Sequence, residues 1–183
     1  MTEHTALIPA IFLDRDGTLI EEVNFLSRVE DLRIFPFTRS ALQQLIDAGF
    51  MLFVVTNQSG IGRGFFTPND MHNIHEALRA EFGDLISGFY YCPHLPDAGC
   101  ECRKPKTALI ERAAKEHSLD LSRSWFVGDK DLDIQTGYNA GMQTCLVSTG
   151  YGAAHKELLD VQPTLTVEDI AEAAREIIAL SNS

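Results

Sequence analysis

Apolar runs alternate along the chain with segments of helical periodicity. Runs that are apolar throughout predict buried strands at PAIFLD, FMLFVVT, LISGFYY, SWFVGD and QTCLV. Between them, apolar residues recur at helical spacing and predict helices at 41–48, from 68 onward, near 107–117, at 131–139 and at 167–180. Buried strands that each lead into a helix are typical of parallel sheets. The pattern therefore predicts an α/β fold, a Rossmann-like three-layer sandwich with a mainly parallel central sheet.

The helix that begins at Pro68 has the clearest start. Thr67 can cap its N-terminus, Pro68 suits the first helical position, and Asp70 stands where a capping box needs its acidic residue. The apolar stripe of this helix consists of Met71, Ile74, Leu78 and Phe82. These features predict both the first residue of the helix and the face that it buries.

Length and composition indicate one globular domain. The chain has 183 residues, of which 45% are hydrophobic and 22% charged, and it shows no repeat or linker, so we expect a single domain over residues 1–183. The N-terminal stretch has no basic segment, and its apolar run is too short to span a membrane, so we expect a cytoplasmic protein. An acidic surface without a heptad pattern favours a monomer.

The formal net charge of −11 restricts the partners. Nucleic acids and anionic membranes both require a basic surface, so we expect neither as a partner. The same charge constrains an anionic substrate, because cations close to the binding site must outweigh the overall field there.

Polar sequences follow three of the predicted strands: DRDGT, TNQSG and GDKDLD. The carboxyl ends of parallel strands share one edge of the sheet, so these sequences are expected to form a common site. Asp14 and Asp16 end a buried strand, and two such carboxylates repel unless a cation lies between them or one keeps its proton. Taken alone, this pair could also be an acidic turn.

The other strand ends make a phosphate-binding site the better interpretation. Thr56 offers a hydroxyl beside several backbone N–H groups, and Arg103 and Lys104 add positive charge. Asp129 adds a third carboxylate, with Asp133 four residues later. Several carboxylates with other oxygen ligands suit a hard cation such as Mg²⁺.

A second metal site is predicted in the stretch YCPHLPDAGCECRKP, residues 91–105. Its candidate ligands are Cys92, His94, Cys100 and Cys102. Three thiolates and one imidazole complete a tetrahedral Zn²⁺ site and leave no position for water, so the site would be structural. Reduced free cysteines on a loop are the alternative, and the acidic charge disfavours a zinc knuckle for nucleic acid. Cys145 lies elsewhere, in an apolar strand, as a small buried residue.

The order D-x-D-G-T, strand-end Thr, Lys and G-D-x-x-x-D resembles the four motifs of the haloacid dehalogenase superfamily of phosphohydrolases. The resemblance implies that Asp14 is the nucleophile, forming an aspartyl-phosphate, and that Asp16 is the general acid and base. It also implies that Mg²⁺ is bound by Asp14, the backbone carbonyl of Asp16 and Asp129. Thr56 and Lys104 would hold the phosphoryl oxygens. A receiver domain that keeps its aspartyl-phosphate is disfavoured, because such domains lack a second, protonating Asp like Asp16. A mutase is disfavoured because mutases of this superfamily generally need a cap domain to exclude water, and this chain has no room for one.

Too few residues separate the motifs for a cap domain, so loops must determine specificity. Among capless members with such a zinc loop, this chain resembles two groups. They are the heptose bisphosphate phosphatases of lipopolysaccharide biosynthesis and the histidinol-phosphate phosphatases. TNQSGIGRGFFT and NFLSRVEDL favour the sugar enzymes, whereas the five-residue spacer between His94 and Cys100 is similar to the histidinol type. On the sugar interpretation the substrate-binding residues would be Glu22, Val23, Asn24, Phe25, Asn57, Gln58, Ser59, Arg103 and Lys130. Arg63 is either a further substrate contact or an exposed loop charge.

Overall fold

In the computed structural model, which describes residues 6–182, six parallel strands form one sheet. They are β1 (Ala10–Leu13), β2 (Met51–Asn57), β3 (Gly88–Cys92), β4 (Trp125–Gly128), β5 (Gln143–Val147) and β6 (Leu165–Val167). Their order across the sheet is β3-β2-β1-β4-β5-β6, and every neighbouring pair is parallel. The direction of strand addition therefore reverses between β1 and β4, which is where ligands bind in open parallel sheets.

Helices cover both faces of the sheet. They are α1 (Thr38–Asp47), α2 (Ser59–Gly62), α3 (Pro68–Phe82), α4 (Ala108–His117), α5 (Asp131–Asn139), α6 (Gly152–His155) and α7 (Ile170–Ser181). Apolar residues of α1, α3 and α7 belong to one core, and those of α4 belong to the other. The three-layer α/β sandwich expected from the sequence is confirmed.

Successive residues of β1 belong to the hydrophobic cores on opposite faces of the sheet, because side chains alternate across a strand. Ile11 and Leu13 pack with α1, α3 and α7, whereas Ala10 and Phe12 pack on the side of α4. All four are completely buried. A strand with both faces covered has to be apolar at every position, which is why PAIFLD shows no alternation of polar residues.

Helix α3 begins as the sequence predicts. The Thr67 hydroxyl accepts a hydrogen bond from the Asp70 N–H at 3.2 Å, and Asp70 accepts one from the Thr67 N–H at 2.8 Å. The capping box is therefore complete. The predicted stripe of Met71, Ile74, Leu78 and Phe82 is buried in the core.

The C-terminal part of the chain corrects one prediction. The last helix begins at Ile170, not at residue 167, because Leu165–Val167 pairs with β5 as a sixth strand. Asp169 caps the helix by accepting a hydrogen bond from the Glu172 N–H at 2.9 Å. A three-residue strand and the four-residue helices α2 and α6 are too short to have a recognisable period.

The loops that frame the sheet edge lie where cap domains would have to be inserted. Between β1 and α1 the chain forms a loop with one 3-10 turn, Val29–Asp31. The segment from α3 to α4 contains β3 and the zinc loop, which we define as residues 91–105. Residues 1–5 and 183 of the predicted domain lie outside the described residues. Within 6–182, no helix combines the length and apolar character needed to cross a membrane.

Candidate active site

A cavity of about 240 Å³ opens at the carboxyl ends of β1, β2 and β4. The predicted catalytic residues that line it are Asp14, Asp16, Thr56 and Lys104. The predicted substrate-binding residues that line it are Glu22, Val23, Asn24, Phe25, Asn57, Gln58, Ser59, Arg103 and Lys130. The structure therefore brings all of these residues to one pocket, as expected from strand ends that share an edge.

Asp14 follows β1 and is buried beside two lysines. Its Oδ1 accepts a hydrogen bond from the Arg15 N–H at 2.9 Å and lies 3.0 Å from Lys104 Nζ. Its Oδ2 lies 3.9 Å from Lys130 Nζ. Burial would raise the pKa of Asp14, but Lys104 and Lys130 outweigh it and hold the pKa below its usual value. The carboxylate is thus ionised, with one oxygen less encumbered than the other.

Lys104 is a buried cation held by three oxygens. Its Nζ donates to Asp133 Oδ1 at 2.6 Å and to the Val55 carbonyl at 3.0 Å, and it pairs with Asp14. Burial would lower the pKa of Lys104, but Asp133 and Asp14 raise it above the usual value. The ammonium is therefore charged at neutral pH, and it lines the pocket.

Asp129, at the end of β4, fits a metal ligand. Its Oδ2 accepts a hydrogen bond from the Tyr151 N–H at 2.8 Å, while Oδ1 is buried and has no hydrogen-bond partner in the described part of the chain. Burial and the neighbouring Asp14 raise the pKa of Asp129 to about 8. Oxygens of Asp14, Asp129 and Asp133 lie within 4.8 Å of one another. A buried carboxylate oxygen that accepts no hydrogen bond and lies among other carboxylates is a place where a divalent cation is stabilising.

Two glycines make room for Asp129. A Cβ at Gly17 would lie 2.2 Å from Asp129 Oδ2, and a Cβ at Gly150 would lie 2.3 Å from the same atom. Gly17 also has a φ of +81°, which favours glycine. The Gly of the D-x-D-G-T motif is thus needed for two independent reasons, its backbone conformation and the approach of Asp129.

Asp16 is held by two neighbours that hydrogen-bond its carboxylate. Arg15 donates from Nε to Oδ2 and from Nη2 to Oδ1, both at 3.0 Å, and Gln58 donates to Oδ2 at 3.0 Å. The Gln58 amide also donates to the Thr56 hydroxyl at 2.8 Å. The motif alone places a second carboxylate, Asp14, near Asp16, and the structure adds the Arg15 guanidinium in direct contact with Asp16.

Lys130 follows Asp129 and lies between the acidic residues of the pocket and Glu22 in the loop after β1. Its Nζ lies 3.3 Å from Glu22 Oε2, 3.9 Å from carboxylate oxygens of Asp14 and Asp129, and 5.3 Å from the centre of the Tyr151 ring. Burial would lower the pKa of Lys130, but the surrounding carboxylates raise it. Lys130 is therefore a second positive charge beside Asp14.

Asn57 and Phe25 have structural features that the motifs do not reveal. The Asn57 side chain donates to the Lys104 carbonyl at 3.3 Å and accepts from the Lys104 N–H at 3.0 Å, so it orients the end of the zinc loop. Phe25 has a φ of +57°, which is uncommon for a bulky residue. Its ring packs edge-on against Phe65 at 4.8 Å, with the Arg63 guanidinium 5.8 Å from its centre.

The four zinc-ligand candidates converge in the zinc loop. Cys92 Sγ lies 3.6 Å from Cys100 Sγ and 3.5 Å from His94 Nδ1, and His94 Nδ1 lies 3.2 Å from Cys102 Sγ. A tetrahedral Zn²⁺ site requires S···S and N···S separations of about 3.8 and 3.6 Å. Burial raises the pKa of the Cys92 thiol to about 12, so a cation is required to hold it as a thiolate. The donor set and its spacing fit zinc.

Comparison with known proteins shows the family to which the chain belongs. The family model described as HAD-hydrolase-like matches residues 101–173. The chain is 39% identical to a D-glycero-D-manno-heptose-1,7-bisphosphate 7-phosphatase of Thermosynechococcus vestitus, over 92% of this chain and 95% of the relative. The corresponding beta-anomer phosphatase of Pseudomonas putida is 38% identical, over 92% and 98%. The chain belongs to the heptose bisphosphate phosphatase family of the haloacid dehalogenase superfamily.

A solved structure of the same family has the same fold. The crystal structure of the D,D-heptose 1,7-bisphosphate phosphatase of B. bronchiseptica, complexed with magnesium and phosphate, superimposes with a TM-score of 0.87. It is 30% identical and covers 94% of this chain and 99% of that one. The expected superfamily, fold and enzyme class are thus confirmed, and the protein is a phosphatase.

Three further polar residues of the pocket make contacts that the sequence motifs do not reveal. They are Arg15, Asp133 and Tyr151. Arg15 is the variable position of D-x-D, so a motif search passes over it. Asp133 is visible in G-D-x-x-x-D, but its partner Lys104 lies 29 residues earlier. Tyr151 follows β5, where no polar motif signals a function.

Proposed function

We propose that this protein removes the 7-phosphate of D-glycero-D-manno-heptose 1,7-bisphosphate in a Mg²⁺-dependent reaction through an aspartyl-phosphate. The observation that carries the proposal is the ionised Asp14 between two lysines, with an oxygen within 4.8 Å of Asp129, whose buried Oδ1 has no hydrogen-bond partner among residues 6–182. The names of the curated relatives support the substrate. We further propose a single capless, monomeric domain that acts in the cytoplasm in lipopolysaccharide biosynthesis.

In the first half-reaction, an Asp14 carboxylate oxygen attacks phosphorus and the bond from phosphorus to the sugar oxygen breaks. Asp16 donates its proton to that oxygen, so the sugar leaves as a neutral alcohol. In the second, Asp16 takes a proton from water, whose oxygen attacks phosphorus and releases phosphate from Asp14. Thr56 and Lys104 hold the phosphoryl oxygens in both steps.

The metal sites would have separate tasks. Asp14, the Asp16 carbonyl and Asp129 would hold Mg²⁺, which when bound adds positive charge beside the phosphoryl oxygens. Cys92, His94, Cys100 and Cys102 would hold a structural Zn²⁺. The loop between these ligands and Lys104 carries Arg103, which donates to the His94 carbonyl at 3.5 Å. Zinc would thereby set the direction of Arg103 and Lys104.

A bisphosphate needs positive charge beyond the reacting phosphoryl group. Arg103 and Lys130 line the pocket in addition to Lys104 and would meet the second phosphate and the sugar. Glu22 and Asn24, from the loop after β1, would contact the sugar hydroxyls. These cations resolve the conflict between the net charge of −11 and an anionic substrate.

The test compares phosphate release from both heptose 1,7-bisphosphate anomers, histidinol phosphate and fructose 1,6-bisphosphate, without a sugar acceptor. We expect the highest kcat/KM for a heptose bisphosphate. A preference of about a hundredfold for histidinol phosphate, roughly 2.7 kcal/mol of transition-state discrimination, would overturn the substrate assignment.

The covalent mechanism is tested by Asp14→Asn. This variant should fold normally and lose turnover, whereas Asp84→Asn, an exposed position remote from the pocket, should keep it. Substantial activity in Asp14→Asn would refute an aspartyl-phosphate.

A further inference from the structure

The Arg15 side chain is directed at the residue after it. Its Nε and Nη2 donate to the two oxygens of Asp16, each at 3.0 Å, in a bidentate pair. The guanidinium is almost fully buried, with 1% of the residue exposed. A planar fork on a carboxylate fixes both its position and the plane of its oxygens, which a single hydrogen bond does not.

The third nitrogen of the same guanidinium reaches helix α3. Arg15 Nη1 lies 3.4 Å from His75 Nε2, and the His75 ring lies 4.7 Å from the ring of Phe89. Burial, together with Arg15, lowers the pKa of His75 to about 3. The imidazole is therefore neutral and can accept a hydrogen bond from Arg15.

Gln58 completes the support from β2. Its amide donates to Asp16 Oδ2 at 3.0 Å and to the Thr56 hydroxyl at 2.8 Å. The orientation of Asp16 thus depends on contacts from the end of β2 and, through Arg15, from α3. None of these donors is needed to complete the Mg²⁺ site.

We propose that Arg15 is a positioning residue for the general acid Asp16 and that His75 anchors it from α3. The proposal rests on the proposed phosphatase mechanism. Proton transfer requires the acid to lie within hydrogen-bond reach of the leaving oxygen. Arg15 supplies that geometry in advance, so its loss slows the proton transfer without removing the nucleophile or the phosphate ligands.

This role has a specific kinetic consequence. A sugar alkoxide is a strong base and departs only when it receives a proton, whereas p-nitrophenolate departs without one. Loss of the positioning residue should therefore slow the first half-reaction of the heptose bisphosphate much more than that of p-nitrophenyl phosphate. A residue that only stabilises the fold would affect both substrates equally.

The experiment measures the first half-reaction by rapid quench and by the p-nitrophenol burst, because the second half-reaction also uses Asp16. The variants are Arg15→Lys, which keeps the charge but not the fork, and Arg15→Met. Arg79→Met is the matched control, since Arg79 is on α3 with its guanidinium 4.6 Å from the Phe89 ring but has no contact with Asp16. Thermal melting confirms that each variant is folded.

We expect Arg15→Met to slow the sugar substrate about 100-fold and the aryl substrate less than about 5-fold, in the range of general acid catalysis. Arg15→Lys should fall between Met and the wild type, and the control should match the wild type. Equal losses on both substrates would overturn the proposal. If the wild type fails on the heptose bisphosphate or Asp14→Asn remains active, the proposed function fails instead.

A second pair of variants keeps the proposal testable if substitutions at Arg15 prevent folding. His75→Leu removes the acceptor for Nη1, whereas His75→Gln retains an oxygen acceptor. We expect a selective loss of about 3- to 10-fold on the sugar substrate in His75→Leu and its recovery in His75→Gln. Identical behaviour of both variants on both substrates would contradict the anchoring role.

Discussion

The buried pair of Lys104 and Asp133 makes a quantitative prediction about stability. The two groups are 2.6 Å apart, and the exposed fraction of their side chains is 4% and 0%. Removing one partner of a buried pair costs about 3–5 kcal/mol of unfolding free energy, because the other charge is left uncompensated. We predict losses of this size for Asp133→Asn and for Lys104→Met.

The surroundings place the two variants at different ends of that range. In Asp133→Asn, Lys104 keeps Asp14 at 3.0 Å, so we expect about 3 kcal/mol. In Lys104→Met, the carboxylates of Asp14 and Asp133 remain buried together, so we expect about 5 kcal/mol. The double variant should lose about 2–3 kcal/mol less than the sum of the two single losses. It removes both the repulsion between Asp14 and Asp133 and the uncompensated charge of Lys104.

The assay is urea unfolding of zinc-loaded protein without added magnesium, with melting as a second measure. Each kcal/mol should shift the melting temperature by about 2–4 °C in a chain of this length. Glu101→Gln is the matched control, because Glu101 pairs with Lys106 at 2.7 Å on the surface, where such pairs contribute less than about 1 kcal/mol. Additive losses, with a coupling energy below about 0.5 kcal/mol, would refute the reasoning.

Three further outcomes are expected. Cys100→Ala should lose zinc in elemental analysis and show lower melting temperature and turnover together; full activity without zinc would exclude a structural role for the metal. Because the pKa of His75 is lowered to about 3, its stabilising contribution is complete above the unfolded value of 6.5 and is lost as the pH falls below it. Unfolding free energy measured from pH 7 to 4 should therefore fall by up to about 1.4 kcal/mol per pH unit more in the wild type than in His75→Gln, and parallel curves would contradict this. Gly17→Ala should abolish turnover, since its Cβ would lie 2.2 Å from Asp129, whereas Gly64→Ala, with a similar φ of +73° and open space, should keep most of it. Equal activity in the two glycine variants would show that only the backbone conformation matters.

Much of the fold and the site could be predicted from residue patterns. Apolar strands followed by helices specify a parallel sheet, and the carboxyl ends of such strands share one edge. Asp14 could therefore be placed with Thr56 and with Asp129, although they lie far apart in the chain. The cluster of four candidate zinc ligands could be predicted for a different reason, because all four stand within eleven residues and local chain geometry is enough to bring them together.

The side-chain partners were decided by the tertiary structure. Lys104 and Asp133 are 29 residues apart, and Asn57 bonds the Lys104 backbone across 47 residues, so no local pattern records either contact. Arg15 directly precedes Asp16, yet the direction of the Arg15 side chain depends on the turn after β1 and on a contact with His75, which lies 60 residues later in the chain. Composition and spacing specify which chemical groups reach the sheet edge. Which donor meets which acceptor there depends on burial, because a charge removed from water must find its partner among the groups that the fold places beside it.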